Sequence, residues 1–116
     1  MRQIDQRFKK GLEHFNKKDY FEAHEVIEDL WLETPLEDAY RDLYKGVIQA
    51  AAAIYQFDRK ILTGAHGLYK SCRVYLLKYA PSALGLNVQK LVDEMDEWKK
   101  DPRKIPILEF DCGHSR

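Results

Sequence analysis

With 116 residues, 45% of them hydrophobic and 33% charged, the chain has the make-up of one globular domain and is too short for two. Nineteen Lys and Arg balance nineteen Asp and Glu, and a net charge of zero leaves no field to steer nucleic acid or anionic lipid, which argues against both as partners. The longest nearly apolar run, Val47 to Tyr55, is broken by Gln49 and too short for a bilayer, the amino end lacks a signal-like apolar stretch, and Cys72 and Cys112 make no disulfide framework, so a cytoplasmic protein is expected.

In chain order the signals are helical. Ile4, Phe8, Leu12 and Phe15 recur at helical spacing, and Asn16-Lys17-Lys18-Asp19 then reads as a turn whose Asp19 caps the next helix. That helix runs from about Tyr20 to Glu33 and stops before Thr34-Pro35, because the residue before a proline avoids helical geometry. A third and longest helix is expected over about Leu36 to Arg59, with Leu43, Tyr44, Val47, Ile48, Ala50, Ala51 and Ile54 inward and Arg41, Lys45, Gln49 and Gln56 in a polar arc. A fourth, about Leu62 to Tyr79, carries Leu62, Ala65, Leu68, Tyr69, Cys72, Leu76 and Tyr79 on one stripe and is stopped by Pro81. After a loop at Ser82 to Leu86, Asn87 caps a fifth helix with Val88, Leu91, Met95 and Trp98 inward. From Asp101 the tail is extended, with Ile105, Ile107, Leu108 and Phe110 apolar enough to lie in a groove and Cys112 to Arg116 expected to fray.

These elements predict an all-α fold, a compact bundle of about five helices made of two hairpins plus a fifth helix, with a helical domain over residues 1–100 and a partly docked tail over 101–116. Gly11, Ala23 and Pro35, echoed by Gly46, Ala65 and Pro81, give it a weak tetratricopeptide flavour, and the two glycines lie 35 positions apart. The plainer account is that any helical hairpin needs a small residue at its crossing and a stop at its end.

The stretch that carries chemistry is Tyr20 to Trp31. On a helical wheel Tyr20, Ala23, Ile27, Leu30 and Trp31 define a buried stripe, His24 sits at its edge, Glu28 lies next outward and Phe21 just beyond. Four-residue spacing lets Glu28 orient the His24 imidazole, while Glu25 points further round. A zinc-peptidase motif would need a second histidine four residues on, where Glu28 stands, and a di-iron bundle would need acids on the fourth helix, which has none. His24 and Glu28 still qualify as ligands of a divalent metal if His66 or His14 joins them. The structural alternative is that they bond each other, Arg41 or Lys45 and simply fix two helices. Cys112 and His114 form a further metal-capable pair, and Gly64 and Gly67 are read as allowing the fourth helix to approach Ala50, Ala51 and Ala53.

The block Phe15-Asn16, Tyr20-Phe21-Glu22-Ala23-His24-Glu25-x-x-Glu28-x-Leu30-Trp31, then Gly46-Val47-Ile48-Gln49-x-Ala51-Ala52 and Gly64-Ala65, resembles the domain-of-unknown-function 309 family over about Phe8 to Trp98. The chain departs from the family pattern at Lys60-Ile61, where Gly-Asn is frequent. The resemblance implies a compact helical domain, implies no activity, and raises Gln49 from a solvated polar residue to a site candidate. The expectation is a non-catalytic binding or interaction module built on His24, Glu25, Glu28 and Gln49, with Tyr20, Phe21 and Trp31 as supporting aromatics. Its partner would be a protein or small molecule, no cofactor beyond a divalent metal is implied, and a homo-oligomer is left open. The alternative is a small metal-dependent or acid–base enzyme of hydrolase type on the same residues.

Overall fold

The computed structural model describes residues 3–111. Helix α1, Gln6–Asn16, begins where the Asp5 carboxylate accepts the Arg7 backbone N–H at 2.8 Å, satisfying one of the donors a helix start leaves open. It buries Phe8, Gly11, Leu12 and Phe15. The chain then turns through Lys18 at φ 67°, with the Lys18 N–H donating to Phe15 O and the Asp19 N–H to His14 O, and enters α2, Tyr20–Glu33. The same device ends α3, Arg41–Asp58: Lys60 sits at φ 66°, its N–H donates to Phe57 O, and the Ile61 N–H donates to Gln56 O before α4, Leu62–Leu77. Both connections are left-handed C-terminal closures, made here by lysine rather than glycine. Successive helices pack on one another, α5, Val88–Lys100, lies against α4, and the core runs from Phe8 and Phe15 through Tyr44, Val47 and Ile54 to Leu91 and Trp98. The all-α bundle expected from the sequence is what forms. Among the described residues no helix is long and apolar enough to cross a membrane.

Gly11 and Gly46 are crossing residues. A Cβ on Gly11 would lie inside the Ile27 side chain, and one on Gly46 would sit 2.8 Å from Leu76 Cδ2. The first glycine stands seven residues before its turn lysine and the second fourteen, so the two hairpins share a connection but not a crossing point. Gly64 faces the Gln56 side chain and Gly67 faces open space, so neither brings α4 onto the alanines of α3.

Several local expectations are corrected. Asp19 does not cap α2 with its carboxylate, which lies 3.8 Å from His14 Nδ1; its backbone carbonyl accepts the Ala23 N–H instead. Helix α3 starts at Arg41, five residues late, because Asp38 captures the Tyr40 N–H through its side chain and holds the segment after Pro35 in turns. Helix α4 ends at Leu77, two residues early. The loop after Pro81 is a hairpin: β1, Ser82–Ala83, pairs antiparallel with β2, Leu86–Asn87, around Leu84 and Gly85 at φ 47° and 80°, the two positive angles that such a tight turn needs. Asn87 caps α5 as expected, accepting the Lys90 N–H at 2.9 Å.

Beyond α5 the chain folds back over the hairpin. Leu108 is buried, its N–H donates to Asn16 Oδ1 at 2.7 Å, and Asn16 Nδ2 donates to its carbonyl at 2.9 Å. Phe110 bridges Leu86, and Ile107 remains 45% exposed. Cys112 and His114, and the expected fraying of 112–116, lie outside the described residues.

Candidate functional site

Helix α2 turns Tyr20, Ala23, Ile27 and Leu30 inward, and the 3.6-residue period then leaves His24 at the margin, its side chain 28% exposed, with Glu25 and Glu28 further out. His24 Nδ1 lies 3.4 Å from Glu25 Oε2, and His24 Nε2 lies 3.9 Å from Glu28 Oε1. One donor atom from each of the three falls within 4.8 Å of the others. Among the described residues none of these side chains makes a hydrogen bond to another protein group, so the imidazole is flanked by two carboxylates whose lone pairs are not taken up.

Helix α3 supplies the opposite wall. Ala52, Tyr55 and Gln56 close, with Tyr20, Phe21 and His24, a cleft of about 170 Å³. The Phe21 and Tyr55 rings stand 5.6 Å apart and Phe21 lies 6.3 Å from the imidazole, so one side of the histidine is aromatic and the other acidic. On the same α3 stripe, between Lys45 and Ala52, Gln49 has its Oε1 buried with no partner. The Tyr20 hydroxyl is also buried and unpartnered, and burial, reinforced by Asp58, pushes its pKa up to about 12. Of these two unsatisfied groups, Tyr20 lines the cleft with His24, whereas Gln49 lies on the α3 stripe outside the cleft lining; each costs stability unless something fills it.

The expected supporting residues divide. Tyr20 is buried, Phe21 is 49% exposed as a cleft wall, and Trp31 is not the buried anchor of the α2 stripe but a half-buried platform. Arg41 Cζ and Lys45 Nζ stand 4.3 and 4.2 Å from the Trp31 ring centre, which keeps it at the surface because cations on its faces must stay hydrated. Arg41 also donates to Thr34 O at 3.1 Å, and neither cation pairs with His24 or Glu28. The cations of α3 therefore meet α2 through Trp31, and not through the pairing with His24 and Glu28 that the sequence suggested. His14 sits at the α1–α2 turn near Asp19 and His66 lies on α4 beside Trp98, and neither joins the His24 group.

The cleft walls Tyr55 and Gln56 escaped sequence reasoning, because Tyr55 counts as apolar in a wheel and Gln56 as solvated. The available signal was the continuation of one stripe, Lys45, Gln49, Ala52 and Gln56, at steps of three and four.

A family model described as a domain of unknown function, DUF309, matches residues 8–68, a span holding His24, Glu25, Glu28, Gln49 and every wall of the cleft. The uncharacterized protein YpuF of Bacillus subtilis (strain 168) is 36% identical over 80 residues, which is 67% of this chain and 45% of YpuF. The chain therefore spans less than half the length of that relative. No solved structure matches it.

Proposed function

This chain belongs to the DUF309 family, and we propose that it is a non-catalytic binding module whose ligand at the α2–α3 face is a divalent transition-metal ion held by His24, Glu25 and Glu28. The observation that carries the reading is the set of three donors within 4.8 Å, none of them spent on a hydrogen bond to another of the described residues. Metal–ligand bonds of about 2.0–2.2 Å put donors on a shared ion roughly 3–4 Å apart, so small side-chain rotations would close the set. One imidazole and two carboxylates suit zinc or manganese better than magnesium, which favours oxygen alone, or copper(I), which favours sulfur. Gln49 and its unpartnered oxygen would then accept a hydrogen bond from an imidazole N–H or a metal-bound water. Binding is preferred to hydrolysis because, with His24 taken as a ligand, the rest of the cleft lining, Tyr20, Phe21, Ala52, Tyr55 and Gln56, offers no carboxylate or imidazole to act as a separate general base. An unpaired, buried Cys72 suits the cytoplasm as the working compartment.

The test is calorimetric titration of the tag-free full chain with zinc chloride and with manganese chloride. A Cys112→Ser, His114→Ala background keeps the tail pair out of the count. One ion per chain is expected, with at least tenfold weaker binding in Glu28→Gln and in His24→Asn and no loss of melting temperature in either. Absence of binding, or binding unchanged in both variants, would contradict the reading.

A further inference from the structure

A second cleft, sharing no residue with the first, opens where the ends of α3 and α5 meet the start of α4, and its volume is about 290 Å³. Its floor is aromatic: Trp98, 2% exposed, meets Phe57 edge to face at 5.5 Å. Leu62, 59% exposed, and Ala65 on α4 make an aliphatic wall. An exposed leucine beside a hollow floored by two aromatic rings leaves apolar surface in water that a ligand tail would cover.

The two polar side chains at this cleft, His66 and Lys99, are both exposed, and among the described residues neither has a carboxylate within 4 Å. Among those residues Lys99 stands 6.0 Å from the Tyr69 ring and His66 lies 6.5 Å from the same ring. On the same pair of helices Arg73 and Lys90 are used, Arg73 binding Asp96 at 2.9 Å and Lys90 binding Glu94 at 2.8 Å, and of the cations on those helices only Lys99 lines this cleft. An apolar hollow with uncommitted cationic and hydrogen-bond-donating groups at its mouth is complementary to an amphiphile whose head is an anion. We propose that the α3–α4–α5 cleft binds a medium-chain carboxylate, its tail on Phe57, Leu62 and Trp98 and its head at Lys99, with His66 as a second donor.

The experiment uses the full chain carrying Trp31→Phe, so that Trp98 is the sole tryptophan. Octanoate is expected to change Trp98 emission saturably and to shift the backbone amide resonances of Phe57, Leu62 and Ala65. Affinity should rise about fourfold per methylene from hexanoate to octanoate, the increment of a tail buried in an apolar site. Octan-1-ol and octylamine should bind at least tenfold more weakly. Lys99 is exposed, so Lys99→Gln should fold normally, weaken octanoate about tenfold and leave octan-1-ol unchanged. Equal binding of the alcohol or amine, indifference to Lys99→Gln, resonance shifts confined to another region, or no saturable signal would each overturn the proposal.

Discussion

Two clusters of carboxylates and nitrogen or hydroxyl groups on helix surfaces stand in opposite states. Where α4 meets α5, Asp96 Oδ1 accepts the Tyr69 hydroxyl at 2.7 Å and Arg73 Nε at 2.9 Å, while Oδ2 accepts Arg73 Nη2 at 3.1 Å. On α2, His24 lies between Glu25 and Glu28 at 3.4 and 3.9 Å with no hydrogen bond closed. The first cluster spans two helices and spends its acceptors, and it is a staple. The second lies on one helix, ties nothing together, and keeps its donor atoms available beside a cleft. Satisfaction, more than residue type, marks the first cluster as structural, and its absence from the second is what the proposed ion site rests on.

A second satisfied contact, the two-way amide between Asn16 and Leu108, should be the most costly of these to remove. Asn16→Ala leaves a backbone N–H and carbonyl beside a buried side chain without partners, and chemical denaturation should register a loss of about 2 kcal/mol. Within the staple, Tyr69→Phe removes one hydrogen bond to an ionised acceptor and should cost about 1 kcal/mol by the same measurement.

Acid titration sharpens the contrast. Burial pushes the Asp96 carboxyl up, but the Arg73 and Tyr69 donors outweigh it and hold the pKa below the ordinary value. A carboxylate depressed in the folded state stabilises fully above its unfolded pKa of about 3.9 and loses that contribution as pH falls through the folded value. The melting temperature should therefore decline on acidification below about pH 5, less steeply in Asp96→Asn. Some slope should survive, because Asp5 and Glu94 are also held low. The smallest effect belongs to the open cluster: Glu25→Gln and Glu28→Gln should each change metal-free stability by less than about 0.5 kcal/mol.

Helices were readable from spacing because each buries a single stripe, and the match at Phe8, Leu12 and Phe15 or at Leu91, Met95 and Trp98 follows from that one requirement. What spacing does not carry is the competition of short polar side chains with the helix, as when Asp38 delays α3, and a turn of positive φ built on Leu84-Gly85 without the usual asparagine. At the site, residues on one helix were legible: His24, Glu25 and Glu28 could be grouped from the sequence. Their opposite wall, Tyr55 and Gln56, depended on how α3 packs. So did the displacement of Trp31 from core to platform, which two cations from the next helix decide.

Whether the α2 cluster is held ready for an ion and ties nothing together is decided by a double-mutant cycle on His24→Ala and Glu28→Ala, read by thermal unfolding without metal and again with zinc in large excess. Without metal the two losses should be small and additive within about 0.5 kcal/mol. With zinc at roughly a hundred times its dissociation constant, the unmutated chain should gain about 2.7 kcal/mol, and alanine variants that bind a hundredfold or more weakly should gain at most about 0.4 kcal/mol, making the cycle strongly non-additive. Coupling already present without metal, together with no stabilisation by zinc, would show a structural pair and contradict the account.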